Sequence, residues 1–260
     1  MKRLLCGIFL CAALHCAFAG GSRDASSDTS GGDGKKIVAS TSWVAAIARA
    51  AGAERITILA PSELKHPPEY ELKPSDLRAA SKADIILYAS WEMFAKKLAE
   101  TAGSAGVQII NVYTTNDPVK IKEEARRLAS IFGTTEREAA WEKEFDTLTA
   151  KLRTEIQAAY PNKRAAVNRM QLPFATWAGF TVAGEYGPAE PSPAVIVDLV
   201  GLKPNLVIDN YHGPSGIPIA EAAKVPYSEL INFPGKDGTV TLEDVFKYNA
   251  AVLIKAANDG

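Results

Sequence analysis

The arrangement of helical and strand-like segments constrains the fold of this chain most strongly. Residues 135–160 form one uninterrupted helical pattern that ends at Pro161, and short apolar runs alternate with helical segments on both sides of it. At 1.5 Å per residue this helix is about 35–40 Å long, enough to run along two lobes. The run at 84–89 is apolar almost throughout, which is typical of parallel strands buried on both faces.

These patterns predict an α/β fold with two lobes, each built from a mainly parallel sheet and flanking helices, joined by one long rigid helix. The predicted N-terminal lobe covers residues 36–134, the connecting helix 135–160 and the C-terminal lobe 161–260.

The first residues have the features of an export signal. Lys2 and Arg3 precede an apolar run at 4–14, and Ala17-Phe18-Ala19 gives a small-x-small cleavage site. We therefore expect a signal segment at 1–19 and a flexible Gly/Ser/Asp-rich linker at 20–35. Lipid modification of Cys16 is the alternative. In both cases the folded part is expected outside the cytoplasm, in the periplasm or at the membrane surface, without disulfide bonds.

Composition and motifs exclude several functional classes. A net charge of −1 without an extended basic run argues against a nucleic-acid-binding protein. No Gly-x-Ser-x-Gly, phosphate-binding loop or dinucleotide fingerprint is present, and all three cysteines lie in the leader. We therefore expect a monomeric protein that is not an enzyme and has no organic cofactor.

Ligands of open α/β sheets bind beyond the carboxyl ends of the strands, so residues just past those ends are the candidates. His66 lies in a Pro-rich loop after one strand-like run, and His212 follows another. Neutral imidazole is the commonest metal ligand in proteins, although each histidine could equally have a structural role in its loop. Glu185 is either a cleft carboxylate or a solvated strand end.

Several segments together resemble the zinc- and manganese-binding solute receptors of ABC transporters. They are 37–52, the loop from His66 to Asp76 with its Pro-Ser-Asp ending, 83–88, 190–193 and 245–249. The resemblance covers nearly all of 36–257. It implies two pseudo-symmetric lobes with a metal ion between them, delivered to an ABC permease in the inner membrane. Zn or Mn would then be the transported ligand.

The resemblance implies that His66 is the first metal ligand, but the other ligand positions differ. They are occupied by Tyr113, by the segment that contains Asn168 and Gln171, and by Asn232. Amide and phenol groups hold first-row metals weakly. We therefore predict that other residues complete a mixed nitrogen–oxygen site with His66, namely His212, Asp209 and Glu185.

Two alternatives remain open at this stage. The cleft could bind a metal complex or a small organic solute through an aromatic and polar lining. The predicted lining residues are Trp43, Trp91, Tyr113, Asn168, Gln171, Trp177, Tyr211 and Asn232. Alternatively, the chain could be a surface adhesin or structural lipoprotein that keeps the fold without transport.

Overall fold

The computed structural model describes residues 34–103, 106–162 and 164–259. The predicted signal segment, Cys16 and nearly all of the predicted linker lie outside these residues. Within the described part, no helix is both long enough and apolar enough to cross a membrane.

The N-terminal lobe contains a four-stranded parallel sheet in the order β2-β1-β3-β4. The central strands β1 and β3 are buried except for Tyr88 at the end of β3, in agreement with their apolar sequences. The strands are β1 Ile37–Ala39, β2 Ile56–Ile58, β3 Ile85–Tyr88 and β4 Gln108–Asn111. The helices of this lobe are α1 Ser42–Ala50, α2 Pro74–Ala80, α3 Met93–Gly103 and α4 Pro118–Phe132.

The C-terminal lobe repeats this topology, with a parallel sheet in the order β6-β5-β7-β8. Its strands are β5 Arg164–Asn168, β6 Thr181–Tyr186, β7 Leu206–Asn210 and β8 Tyr227–Leu230. The helices that follow the connecting helix are α6 Leu172–Ala178, α7 Pro193–Gly201, α8 Ile217–Ala223 and α9 Leu242–Asp259. The connecting helix itself is α5, Thr135–Ala159.

One aromatic group joins the two lobes through α5. Phe145 on α5 stacks on Trp141 with ring centroids 4.8 Å apart and contacts Phe246 on α9 at 5.3 Å. Phe246 in turn contacts Phe174 on α6 at 5.3 Å. These rings belong to a single buried cluster that also includes residues of both sheets. Burial of each large apolar side chain contributes about 1.5–3 kcal/mol, so this shared core fixes the lobes on α5.

The predicted fold class is confirmed. Each predicted strand and helix of the folded part is present, and their ends shift by a few residues at most. The largest difference follows β5, which ends at Asn168 and continues as a short 3-10 turn, Arg169–Gln171. The amide of Asn168 causes this turn, because its Oδ1 accepts a hydrogen bond from the Met170 N–H at 3.0 Å.

Candidate functional site

Buried polar side chains meet where the strands of the C-terminal lobe end. We call this group the interlobe polar cluster; it consists of Asn116, Gln171, Asn210, His212, Asn232 and Asn249. Asn116 follows β4 of the N-terminal lobe, and its Nδ2 lies 3.5 Å from the Ile231 carbonyl oxygen of the other lobe. Asn249 on α9 donates to the same carbonyl at 2.9 Å. The cluster therefore links both lobes at the edge where ligands of open sheets bind.

Gln171 is the centre of the interlobe polar cluster. Its Nε2 donates to Asn232 Oδ1 at 2.7 Å and to the Leu230 carbonyl at 3.0 Å, with a longer contact to Asn210 Oδ1 at 3.3 Å. Its Oε1 is buried and has no hydrogen-bond partner among the described residues, and the same is true of Asn116 Oδ1. Buried polar atoms normally have partners, so these two oxygens are acceptors available to a ligand.

His212 follows β7 and is buried between the lobes. Its ring stacks on Phe233 with centroids 3.6 Å apart, and its Nδ1 lies 3.3 Å from the Lys65 carbonyl oxygen of the N-terminal lobe. A carbonyl can only accept a hydrogen bond, so this contact requires the hydrogen on Nδ1 and leaves a lone pair on Nε2. Nε2 is buried and has no partner in the described part of the chain.

Burial, together with the nearby charges of Lys65, His66 and Lys236, lowers the pKa of His212 to about 3. The contact with the Lys65 carbonyl opposes this shift only partly. The imidazole is therefore neutral at physiological pH, which is the form that binds metals.

His66 is adjacent in sequence to Lys65, whose carbonyl contacts His212. Its side chain is exposed and precedes a 3-10 turn, Pro67–Glu69. The loop is fixed from its other end by Asp76, whose Oδ2 accepts from the Lys73 N–H at 2.8 Å and the Tyr70 hydroxyl at 2.7 Å. The backbone of the 62–66 loop thus contacts His212, whereas the His66 side chain is exposed.

Asp209, a predicted metal ligand, has a structural role instead. Its Oδ1 accepts from Asn168 Nδ2 and from the Asn210 N–H, both at 2.8 Å. Its Oδ2 accepts from the Ser215 and Gly216 N–H groups at 2.8 and 2.6 Å. The Tyr227 hydroxyl also donates to this oxygen, at 2.8 Å. Five hydrogen bonds occupy both oxygens, so Asp209 shapes the loop after β7 and leaves no free lone pair directed at a solute.

Glu185 is also separate from this group. It lies on the edge strand β6, its side chain is exposed, and its Oε2 is 3.7 Å from Arg169 Nε. Within the described ranges, no three or more His, Cys, Asp and Glu side chains are arranged to hold a metal ion. The four-residue site of His66, His212, Glu185 and Asp209 is therefore not assembled in this structure.

The predicted lining residues divide into two sets. Trp43 packs against Trp91 at 6.3 Å and against Phe233 of the other lobe at 5.7 Å, and its buried Nε1 has no partner among the described residues. Trp91 Nε1 donates to Thr114 Oγ1 at 3.0 Å. With Gln171, Tyr211 and Asn232, these tryptophans belong to the junction between the lobes.

The remaining lining predictions are corrected by the structure. Trp177 packs into the shared aromatic core, 5.0 Å from both Phe174 and Phe246, because the apolar face of α6 is directed at α9. The Tyr113 side chain is exposed. Together with charged residues of α4, it lines a shallow surface cavity. The Asn168 amide is fully used by Asp209 and by the turn after β5.

Sequence analysis missed two lysines. Lys236 Nζ lies 3.6 Å from the ring centroid of Tyr211, and Lys65 Nζ lies 4.5 Å from the same centroid. Both distances are measured to the same centroid, so the two ammonium groups lie within about 8 Å of each other. Two like charges at about 8 Å repel by roughly 2 kcal/mol at an effective dielectric constant of 20, before screening by water and salt. The sequence could have indicated both lysines, because Lys65 is next to His66 and Lys236 follows Asn232. Loops at strand ends often carry ligand-binding side chains.

Sequence analysis also missed Glu92, which is fully buried at the corresponding edge of the N-terminal lobe. It accepts hydrogen bonds from Thr41 Oγ1 at 2.8 Å and from the Ala89 N–H at 3.0 Å. Burial raises the pKa of Glu92, and the hydrogen bonds oppose that shift only in part. Its hydrogen bonds tie the loop before α1 to the loop after β3.

The two lobes touch closely beside His212. Ser42 Oγ donates to the Pro234 carbonyl at 2.6 Å. A Cβ added at Gly235 would lie 1.9 Å from the Ser62 carbonyl oxygen, and the backbone of Gly235 has φ +139°. Glycine is therefore required here by both conformation and the opposite loop.

We predict that Gly235→Ala is more destabilising than Gly238→Ala. Gly238 also has a positive φ, of +77°, but a Cβ there meets nothing within 4 Å. Both substitutions strain the backbone by about 1–2 kcal/mol, and only Gly235→Ala adds a clash worth about 1–3 kcal/mol. Urea denaturation measures the free energy of unfolding; equal losses for both variants would contradict the close contact between the loops.

We also predict that His212 makes the stability of the apo protein depend on pH. The unfolded chain binds a proton below pH 6.5, whereas the folded chain resists protonation down to about 3. The contribution is thus complete above pH 6.5 and is lost at about 1.4 kcal/mol per pH unit as the pH falls towards 3. Denaturation curves should show a shallower pH dependence of the free energy of unfolding for His212→Gln than for the unaltered protein.

No family model matches the chain, and no curated protein sequence matches it. Solved structures do match its fold. The laminin-binding protein Lmb of Streptococcus agalactiae, described as bifunctional with adhesin and metal transporting activity, has a TM-score of 0.67 and 17% identity, covering 86% of this chain and 100% of that chain. The solute-binding protein FpvC of Pseudomonas aeruginosa in complex with Mn²⁺ has a TM-score of 0.68 and 16% identity, covering 86% and 99%.

A Zn(II)-bound mutant variant of AdcAII from Streptococcus pneumoniae has a TM-score of 0.61 and 18% identity, covering 86% of this chain and 99% of that chain. The chain therefore spans nearly the whole length of each of these proteins. Its structural neighbours are metal-binding solute-binding proteins, and the chain has their two-lobe α/β fold.

Proposed function

We propose that this chain is an extracytoplasmic solute-binding receptor of an ABC importer that binds a transition metal ion, or a solute containing one, between its lobes. The observation that carries this proposal is His212, whose neutral imidazole is buried between the lobes. Its Nδ1 faces the Lys65 carbonyl, and its Nε2 has no partner among the described residues.

This arrangement matches the way proteins prepare a histidine for a metal. A metal-binding histidine usually donates its second ring N–H to a carbonyl or carboxylate, which fixes the tautomer and the ring orientation. The Lys65 carbonyl supplies that contact, and stacking on Phe233 holds the ring. The carbonyl belongs to the opposite lobe, so the orientation of the imidazole depends on how the lobes meet.

His66 supplies the second imidazole of the proposed site. It is exposed and lies on the loop that contacts His212, so movement of this loop can bring it to a solute held at His212. The unpartnered amide oxygens of Gln171 and Asn116 provide further neutral donors. Two imidazoles with amide oxygens can hold Zn²⁺ or Mn²⁺, and weaker donors suit a carrier that must release its cargo.

The structural neighbours support this proposal. Solved structures of this fold include FpvC in complex with Mn²⁺ and with Ni²⁺ and AdcAII with Zn(II) bound. In a receptor of this type the partner is a permease in the membrane, and the protein carries out binding and release without a chemical reaction.

The direct test is calorimetric titration of the metal-free protein with Zn²⁺ and Mn²⁺, alone and as soluble complexes. Dissociation constants in the micromolar range or below are expected. If no form of either metal binds more tightly than about millimolar, which corresponds to only ~4 kcal/mol, the proposal fails.

We predict that His66→Ala and His212→Ala each weaken metal binding at least tenfold, equivalent to about 1.4 kcal/mol, because each removes an imidazole donor. Glu185→Ala is the matched control, since that carboxylate is exposed and lies beside Arg169 on an edge strand. Its affinity should be unchanged. Titration of the three variants with metal under identical conditions tests this prediction. If only Glu185→Ala lowers the affinity, the metal binds away from His66 and His212.

An adhesin is the second candidate function. It is favoured by the match to Lmb, which is described as having adhesin as well as metal transporting activity, and by a similar match to the laminin-binding protein Lbp of Streptococcus pyogenes. Surface plasmon resonance on immobilised laminin tests it. Saturable binding to laminin by the metal-free protein, together with no metal affinity in calorimetry, would favour the adhesin.

A further inference from the structure

Two lysines, one from each lobe, converge on Tyr211 beside His212. Lys65 lies in the 62–66 loop of the N-terminal lobe, and Lys236 follows β8 in the C-terminal lobe. Since their Nζ atoms are 4.5 and 3.6 Å from the same ring centroid, the two ammonium groups lie within about 8 Å of each other. Contact between the 62–66 loop and the loop after β8 therefore brings like charges together.

Neither ammonium group has an acidic partner in the part of the chain that the structure describes. Their recorded contacts are with aromatic rings: both face Tyr211, and Lys236 also lies 6.0 Å from the Tyr248 ring centroid. Aromatic faces attract ammonium groups but do not neutralise them. The two positive charges therefore remain uncompensated.

Carboxylates near the two lysines do not change this balance: Glu63 and Asp237 are close to them in sequence but are exposed and form no ion pair with them among the described residues. Asp209 is fully hydrogen-bonded below the loop after β7, and Glu92 is buried behind Thr41 with its charged form disfavoured. Lys65 and Lys236 both lie at the Tyr211 ring beside His212, and their charges lower the pKa of its imidazole. A bare divalent cation that approaches His212 Nε2 would meet this positive field, whereas an anion would be attracted by it.

We propose that the solute is an anion rich in carboxylate groups, held by Lys65 and Lys236. This inference rests on the proposed function and names the class of its solute: the metal arrives within a negatively charged chelate, and not as a free cation. The chelate's carboxylates pair with the two ammonium groups, and His212 Nε2 faces the metal. Pairing also removes the repulsion between the lysines, so the anion favours contact between the lobes.

The test is calorimetric titration of the full chain with four probes: zinc chloride, manganese chloride, sodium citrate and equimolar zinc citrate. Zinc citrate is expected to bind at least tenfold more tightly than either chloride salt. Lys65→Gln and Lys236→Gln are each expected to weaken zinc citrate binding about tenfold. The control is Lys82→Gln, because Lys82 is exposed and precedes the amino end of β3, at the opposite edge of the sheet.

The salt dependence of the unaltered protein gives a readout that requires no substitution. Affinity for zinc citrate should fall as sodium chloride is raised from about 50 to 500 mM, because salt screens the contact between lysines and carboxylates. A constant affinity over this range would overturn the anionic solute.

The probes separate this inference from the function on which it rests. Chloride salts that bind as tightly as zinc citrate, with the lysine variants unchanged or tighter, would overturn the anionic solute and leave a receptor for free cations. Citrate that binds as tightly without zinc would support the anionic solute and overturn the metal in it. Absence of binding by all four probes would overturn both proposals.

Discussion

The shared aromatic core on α5 is the constraint on which the rest of the structure depends. Because Phe145 and Phe246 join helices that serve both sheets, the lobes cannot separate freely without exposing large apolar rings to water. The carboxyl ends of the strands consequently remain close to each other. Movement is left to the loops at the junction, where 62–66 meets the segment around Gly235.

Burial of polar groups at this junction costs free energy unless hydrogen bonds replace their contacts with water. Some of these groups have all their hydrogen bonds and others do not. Asp209 is satisfied by five hydrogen bonds, so it costs little and holds the loop that carries His212 in place. The Gln171 side chain forms hydrogen bonds through its nitrogen, whereas its oxygen has no partner among the described residues. In the same way His212 Nδ1 has a partner and Nε2 has none. The groups with all their hydrogen bonds hold the loops in place, and the buried atoms beside them that have no partner among the described residues are the acceptors of the proposed site.

The fold could be predicted from sequence because its strands and helices have strong local patterns, and parallel topology follows from their alternation. The site could be predicted only in part. Strand-end position placed His212 and Asp209 in the same loop region, but it could not show that Asp209 hydrogen-bonds to its own loop. Trp177, like Trp43, is predicted near the junction of a strand and a helix. Only its packing against Phe246 on α9 places it in the core. Such distinctions depend on tertiary contacts.

The same limit explains why the lysines escaped notice. Lys65 and Lys236 are far apart in sequence, each on a loop where an isolated lysine is ordinarily solvated. Their significance arises only when the lobes meet and both reach Tyr211. A receptor closed by attraction to its solute needs some cost of closure without it, so that empty and loaded forms differ. Repulsion between the two ammonium groups from opposite lobes raises the free energy of the empty form. An anion between them would replace this repulsion with attraction.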